Sequence, residues 1–151
     1  MITIDEFKTK ISSGSRILGI DLGTKRIGIA ISDSNQKIAS PLQTLKKTKT
    51  SKLVDEIENI IKENDIKGII VGNPINMDGT YGKSSQSAKD TAIDISNKIN
   101  IPVSLWDERL STVGAFNLSS ELDINVSKRE RDIDKFAAAF ILQGALDFFQ
   151  N

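Results

Sequence analysis

"RILGIDLGTKRIGIAISD", residues 16–33, is an apolar run closed by Asp21, a Gly-Thr-Lys-Arg turn, and a second apolar run. The first run is short and rich in β-branched residues, while Ile27, Ile29 and Ile31 alternate with Gly28, Ala30 and Ser32 at period two. Both features predict strands, joined by a tight turn. Asp33-Ser34-Asn35-Gln36 is a second turn signal, so Lys37 to Thr44 supplies a third antiparallel strand, kept short by Pro41, which removes a backbone donor. Asp21 therefore ends a strand. Taken alone it reads as a turn residue whose carboxylate accepts backbone N–H groups, or as a ligand for a metal or a phosphate.

Further along, Leu53, Val54, Ile57, Ile60 and Ile61 repeat at helical spacing, and GIIVG (68–72) is a continuous apolar run of the kind buried on both faces. NPINMDGTYGKSS reads as a loop, Ala88 to Ile99 as a helix, and IPVSLWDE (101–108) as another strand. Ser111 or Thr112 can cap a helix through about Leu118, a polar and basic loop follows, and Phe136 to Phe149 forms a strongly apolar last helix. Three antiparallel strands followed by alternating helices and strands predict an α/β fold: one mixed five-stranded sheet with helices on both faces. With no repeat, low-complexity tract or linker, residues 1–151 are expected to form a single domain. The strands ending at Asp21, Gly72 and Glu108 should lie parallel and side by side, and ligands in such sheets bind beyond their carboxyl ends.

Composition limits the chemistry that such a site can use. Cys and His are both 0, which excludes thiol nucleophiles, imidazole bases, disulfides and ordinary zinc sites. Catalysis must then run on carboxylates, Lys, Ser/Thr and hard cations. Lys+Arg and Asp+Glu are both 20, so any nucleic-acid binding must come from local patches rather than from a global field. No apolar stretch approaches the roughly 20 residues that span a bilayer, and MITIDEFKTK has no signal-peptide core, so a cytoplasmic protein without membrane contact is expected.

Three carboxylates stand out. Glu108 ends an apolar strand, where it is either an ion-pair partner of Arg109 or a nearby Lys, or a functional group; Asp107 must face the opposite side. In the last helix Ile133, Ala137, Phe140, Ile141, Gly144 and Phe148 form one stripe. Taking Ala137 as its centre, Asp134 falls roughly 60° away and Asp132 roughly 140° away. Asp134 flanks the packed face, whereas Asp132 reads as an N-cap or first-turn residue turned outward. Asp21, Glu108 and Asp134 would make an oxygen-only set suited to Mg²⁺ or Mn²⁺, two of which can hydrolyse a phosphodiester in line.

GIDLGTKRIGIAISD, IIVGNPINMDGT, LWDERLST and IDKFAAAFILQGALD, in that order, give the chain from Arg16 to Phe149 a close resemblance to the YqgF/RuvX family. Its members are small ribonuclease H-like proteins, described as Holliday junction resolvases and as nucleases for the 5′ end of the 16S ribosomal RNA precursor. The resemblance implies a ribonuclease H-like fold and a metal-dependent nuclease acting on pre-16S rRNA or on branched DNA, as a monomer or a homodimer. The family's acidic triad maps to Asp21, Glu108 and Asp134, the same three residues. Two departures are present. Asn73 replaces the usual apolar residue after the strand glycine, and the basic loop before Asp134 carries Glu130 and Asp132 among Lys128, Arg129 and Arg131.

Lys25 and Arg26 past Asp21, Arg109 beside Glu108, Asn76 in the glycine-bearing loop, and Lys128, Arg129 and Arg131 are candidate nucleic-acid contacts. For Lys25 and Arg26 the competing reading is an exposed loop charge or an ion pair with Glu108. Lys46, Lys47, Lys49 and Lys52 read as a solvated face, and Trp106 as core. Two further function classes compete with the nuclease. One is a non-catalytic nucleic-acid or ribosome-assembly module; the other is the phosphate loop of actin- and Hsp70-like ATPases, which Asp-Leu-Gly-Thr resembles but which needs a second domain.

Overall fold

The computed structural model describes residues 1–76, 78–110 and 126–150, with residues 126–133 described by their backbone alone. Five strands form one sheet in the order β3-β2-β1-β4-β5. Strands β1 (Arg16–Leu22), β2 (Arg26–Ser32) and β3 (Ala39–Lys46) are the antiparallel meander that alternation predicts. Strands β4 (Ile66–Asn73) and β5 (Val103–Asp107) run parallel to β1 and to each other, so the carboxyl ends of β1, β4 and β5 share one edge. Pro41 pairs with Ala30 where the β2–β3 register shifts, which accommodates a residue lacking an N–H.

Among the described residues the sheet is flanked by the α-helices α1 (Ile4–Lys10), α2 (Thr50–Asn64), α3 (Lys83–Lys98) and α4 (Val126–Gln150). Leu18, Ile20, Ile27, Ile29, Ile69 and Val71 point to one face, where they pack with Leu53, Val54 and Ile57 of α2 and Ala92 and Ile95 of α3. The intervening Ile17, Ala30, Ile70 and Trp106 point to the other, against Ala138, Ile141, Leu142, Ala145 and Leu146 of α4 and Phe7 of α1. Period two in the strands thus separates two apolar layers.

Three elements differ from the sequence expectation. Helix α1 was not anticipated, although Thr3 and Glu6 hold it as a capping pair: the Glu6 N–H donates to Thr3 Oγ1 at 3.2 Å, and that hydroxyl donates to Glu6 Oε1 at 3.2 Å. Helix α3 begins at Lys83, five residues before Ala88, because Ser85 is buried and donates to the side-chain oxygen of Asn73 at 2.6 Å. Helix α4 begins at Val126, so Asp132 lies well inside it and is not its N-cap; the supposed loop of Lys128, Arg129 and Arg131 is helical backbone. The helix expected from Ser111 or Thr112 to Leu118 lies outside the described residues.

Candidate active site

The alternation that sorts the core also aims the acids. Asp21 follows Ile17 at even spacing and faces the α4 side, as does Glu108, two residues beyond Trp106. Glu108 opens a short 3₁₀ turn, Glu108–Leu110, immediately after β5. Its carboxylate reaches across β4: a Cβ on Gly72 would sit 3.3 Å from Glu108 Oε2. Asp21 lies opposite Gly28 in the β1–β2 ladder, and a Cβ on Gly28 would collide with the backbone carbonyl of Asp134. Glycine at these two positions is therefore a matter of space, because α4 and Glu108 occupy the volume that side chains would need.

Burial comes first among the causes that raise the Asp21 carboxyl to about 6, with the charge of Asp134 second. Glu108 is pushed up to about 7, again by burial first, then by the charges of Asp21 and Asp107. Asp21 therefore stands electrostatically between Glu108 and Asp134. Carboxyls held this high at a sheet edge mark a place where positive charge would be stabilising.

The arginines are arranged differently from the sequence expectation. Arg109 pairs with Asp107 rather than with Glu108: Arg109 Nη2 donates to Asp107 Oδ2 at 2.7 Å, Nε donates to Oδ1 at 3.0 Å, and the Arg109 N–H donates to Oδ1 at 3.0 Å. That pair holds Asp107 below the usual carboxylate range. Arg26 is the first residue of β2, and its Nε donates to Asp134 Oδ2 at 2.8 Å. Lys25 is exposed in the turn, where its carbonyl accepts from the Lys47 N–H at 3.0 Å. Asn76 is exposed but engaged within its own loop, donating from Nδ2 to Thr80 Oγ1 at 3.0 Å. The side chains of Lys128, Arg129 and Arg131 lie outside the described residues.

Asp21, Glu108 and Asp134 thus converge on one edge, with oxygen donors of the type a hard divalent cation selects. Among the described residues no three acidic side chains are gathered tightly enough to grip an ion as they stand, and Asp134 is turned to Arg26. Asp21 and Glu108 fit a cation; Asp134 fits if it leaves its arginine. The Arg26–Asp134 pair and the glycine platform under α4 were missed from sequence. For the platform a signal was present: Gly19, Gly28, Gly68 and Gly72 all lack side chains on the strand face that carries the acids.

A family model described as "RuvX: Holliday junction resolvase" matches residues 15–148. A protein of Pelagibacter ubique named "Putative pre-16S rRNA nuclease" is 62% identical over the whole of both chains. A Rhodobacter capsulatus protein of the same name is 40% identical over 95% of this chain and 91% of its own. Among solved structures, Thermus thermophilus RuvC with a Holliday junction substrate superposes with a TM-score of 0.57 at 12% identity, covering 91% of this chain and 96% of that one. A fowlpox virus resolvase with Holliday junction DNA gives 0.53 at 12% identity, over 90% and 97%. These two structures share the fold, a ribonuclease H-like mixed sheet.

Proposed function

Because the chain belongs to the RuvX family, we propose that it is a metal-dependent nuclease that hydrolyses phosphodiester bonds in structured nucleic acid, with the 5′ end of the 16S rRNA precursor as its substrate. The observation that carries this reading is the pair of partly buried carboxyls at the ends of β1 and β5, which flank β4, with Glu108 reaching over Gly72; Asp21 is raised to about 6 and Glu108 to about 7. In a protein without His, their charge is the means of placing a cation where phosphate chemistry needs one. Residues 1–151 act as one nuclease domain in the cytoplasm. Among the described residues no helix is long and apolar enough to cross a membrane.

Asp21 and Glu108 would hold Mg²⁺ or Mn²⁺, and Asp134 would complete the set for a second ion. When bound, the ions supply an activated water and neutralise charge on the leaving oxygen. The chain's own part is to orient these carboxylates and to shield them under α4, while Arg26 and Lys25 offer positive charge to the substrate backbone. Arg109 contributes less directly, since Asp107 already holds it. Junction resolution is the second reading, favoured by the family description and by the fold shared with RuvC. It requires two coordinated cuts and hence a homodimer, whereas trimming needs only a monomer.

The test is cleavage of a pre-16S 5′-end RNA and of a four-way DNA junction in Mg²⁺, Mn²⁺, Ca²⁺ or EDTA, with Glu108→Gln as control. Cleavage of the RNA in Mg²⁺ or Mn²⁺ alone, lost in Glu108→Gln, is expected. Turnover in EDTA would sink the metal-dependent mechanism. Cleavage of the junction but not of the RNA would give the second reading, and cutting of neither would leave a binding module.

A further inference from the structure

Arg26 and Arg109 both stand at the catalytic edge and both pair with an aspartate, but the two pairs differ in kind. Arg109 is bound to a residue two positions away, through its main chain as well as its guanidinium. The Arg26–Asp134 pair links β2 to α4 across 108 residues of sequence through Nε alone, and the Arg26 side chain is 44% exposed. A single contact at that exposure is weak and exchangeable. It nonetheless engages Oδ2 of the carboxylate that raises Asp21, while Oδ1 lies 3.6 Å from where a Cβ on Gly23 would be, over the turn that follows Asp21.

We propose that Arg26 is an exchangeable counterion of Asp134: its guanidinium holds that carboxylate, yields it to an arriving divalent cation, and is thereby released to a backbone phosphate of the nucleic acid. The inference rests on the metal-dependent reading above. Its logic is charge conservation at one carboxylate. Asp134 beside Asp21 needs a positive partner in every state, and a guanidinium that is displaced from a carboxylate is suited to bidentate contact with phosphate. Metal binding and substrate binding would then be coupled through one side chain, and Arg26 would hold down metal affinity until both are present.

Mn²⁺ titrated calorimetrically into metal-stripped parent, Arg26→Gln and Arg26→Lys protein tests the first half. Loss of the competing charge should tighten Mn²⁺ binding roughly tenfold in Arg26→Gln, the scale expected for removing a unit charge about 5 Å from a divalent ion in a solvated setting. Arg26→Lys should show a smaller tightening, and it serves as the test if Arg26→Gln does not melt cooperatively. Binding of a hairpin RNA, followed by fluorescence anisotropy, tests the second half. Arg26→Gln should bind several-fold more weakly than the parent in Ca²⁺ and equally in EDTA. Unchanged or weaker Mn²⁺ binding in Arg26→Gln, with the parent binding normally, would overturn the exchange and make Arg26 an aid to positioning Asp134. RNA binding weakened equally with and without Ca²⁺ would make it an ordinary phosphate contact. A parent protein that binds no Mn²⁺ at millimolar concentration would remove the metal site itself, and the exchange with it.

Discussion

On the face covered by α2 and α3 the sheet presents Leu18, Ile20, Ile27, Ile29, Ile69 and Val71, a continuous apolar layer. On the face covered by α4 the same strands present Gly28 and Gly72, and at their carboxyl ends Asp21 and Glu108. The first face separates helix from sheet by bulky side chains; the second lets helix backbone approach strand backbone. Close approach is what allows a carboxylate on α4 to reach the strand ends, so the proposed chemistry falls on the thin face, while the thick face is apolar packing alone.

Neighbouring residues on β2 offer the sharpest test of that division. Ile29 is fully buried on the thick face, and Ile29→Ala should cost about 2–5 kcal/mol of stability while leaving the cleavage rate of the folded protein within a few-fold. Gly28→Ala should cost about 1–3 kcal/mol or more by overpacking, and should also lower cleavage at least about a hundredfold, because the added methyl displaces Asp134. Urea unfolding paired with single-turnover assays measures both. If Gly28→Ala stays active, or Ile29→Ala is inactive while folded, the division of labour fails.

A smaller effect concerns pH in metal-stripped protein. Asp21 rises from 3.8 to about 6 and Glu108 from 4.5 to about 7, so the native state keeps protons that the unfolded chain has already lost. Below about pH 3 both carboxyls are protonated in either state; as pH rises from about 3 to about 8 stability falls, and above about 8 the loss is complete. For Asp21 the fall is on the order of 2–3 kcal/mol. Asp21→Asn should flatten the melting temperature over that range, and Mn²⁺ should raise it in the parent at pH 7.5 more than at pH 5. A parent curve that rises from pH 4 to 7 and rises equally in Asp21→Asn would contradict the assigned sign.

Smallest of all should be Asp107→Asn, on the thick face beside Glu108. It breaks the pair with Arg109, whose side chains are 33% and 23% exposed, and such pairs contribute about 1 kcal/mol or less. A thermal melt should show a shift of a few degrees at most, with cleavage changed less than about tenfold. A dead Asp107→Asn would place Asp107 among the reacting groups and redraw the boundary between the faces.

How much of this was readable in advance follows the range of the interactions. Asp21 and Glu108 were legible because period two is local: once Ile20 and Trp106 are assigned to faces, the acids beside them are assigned too. Sheet order followed from the same strands and connections. Asp134 was legible from the helical stripe, but its partner was not, since nothing near Arg26 in sequence signals a carboxylate 108 residues away. The starts of α3 and α4 were misplaced because Ser and charged residues there follow no apolar period. Ser85 is held by Asn73, and the assignment of Asp132 as a cap assumed that the helix began where the apolar stripe does. Helix α1 does carry a local signal, as Thr3 and Glu6 form the capping signature within four residues.

Trp106, the single tryptophan, is 4% exposed on the thin face, with its ring beside Gly144 of α4, 5.7 Å from the ring of Phe148, and its indole N–H without an acceptor among the described residues. An indole so buried against apolar and aromatic neighbours emits at short wavelength, because little bulk solvent reaches it to relax its excited dipole. Light from this one residue therefore reports the seating of α4 on the sheet, while far-ultraviolet circular dichroism sums over helices on both faces. If the α4 face loosens before the rest, emission will shift to the red while most of the helical signal persists, and the two optical signals will trace separate curves.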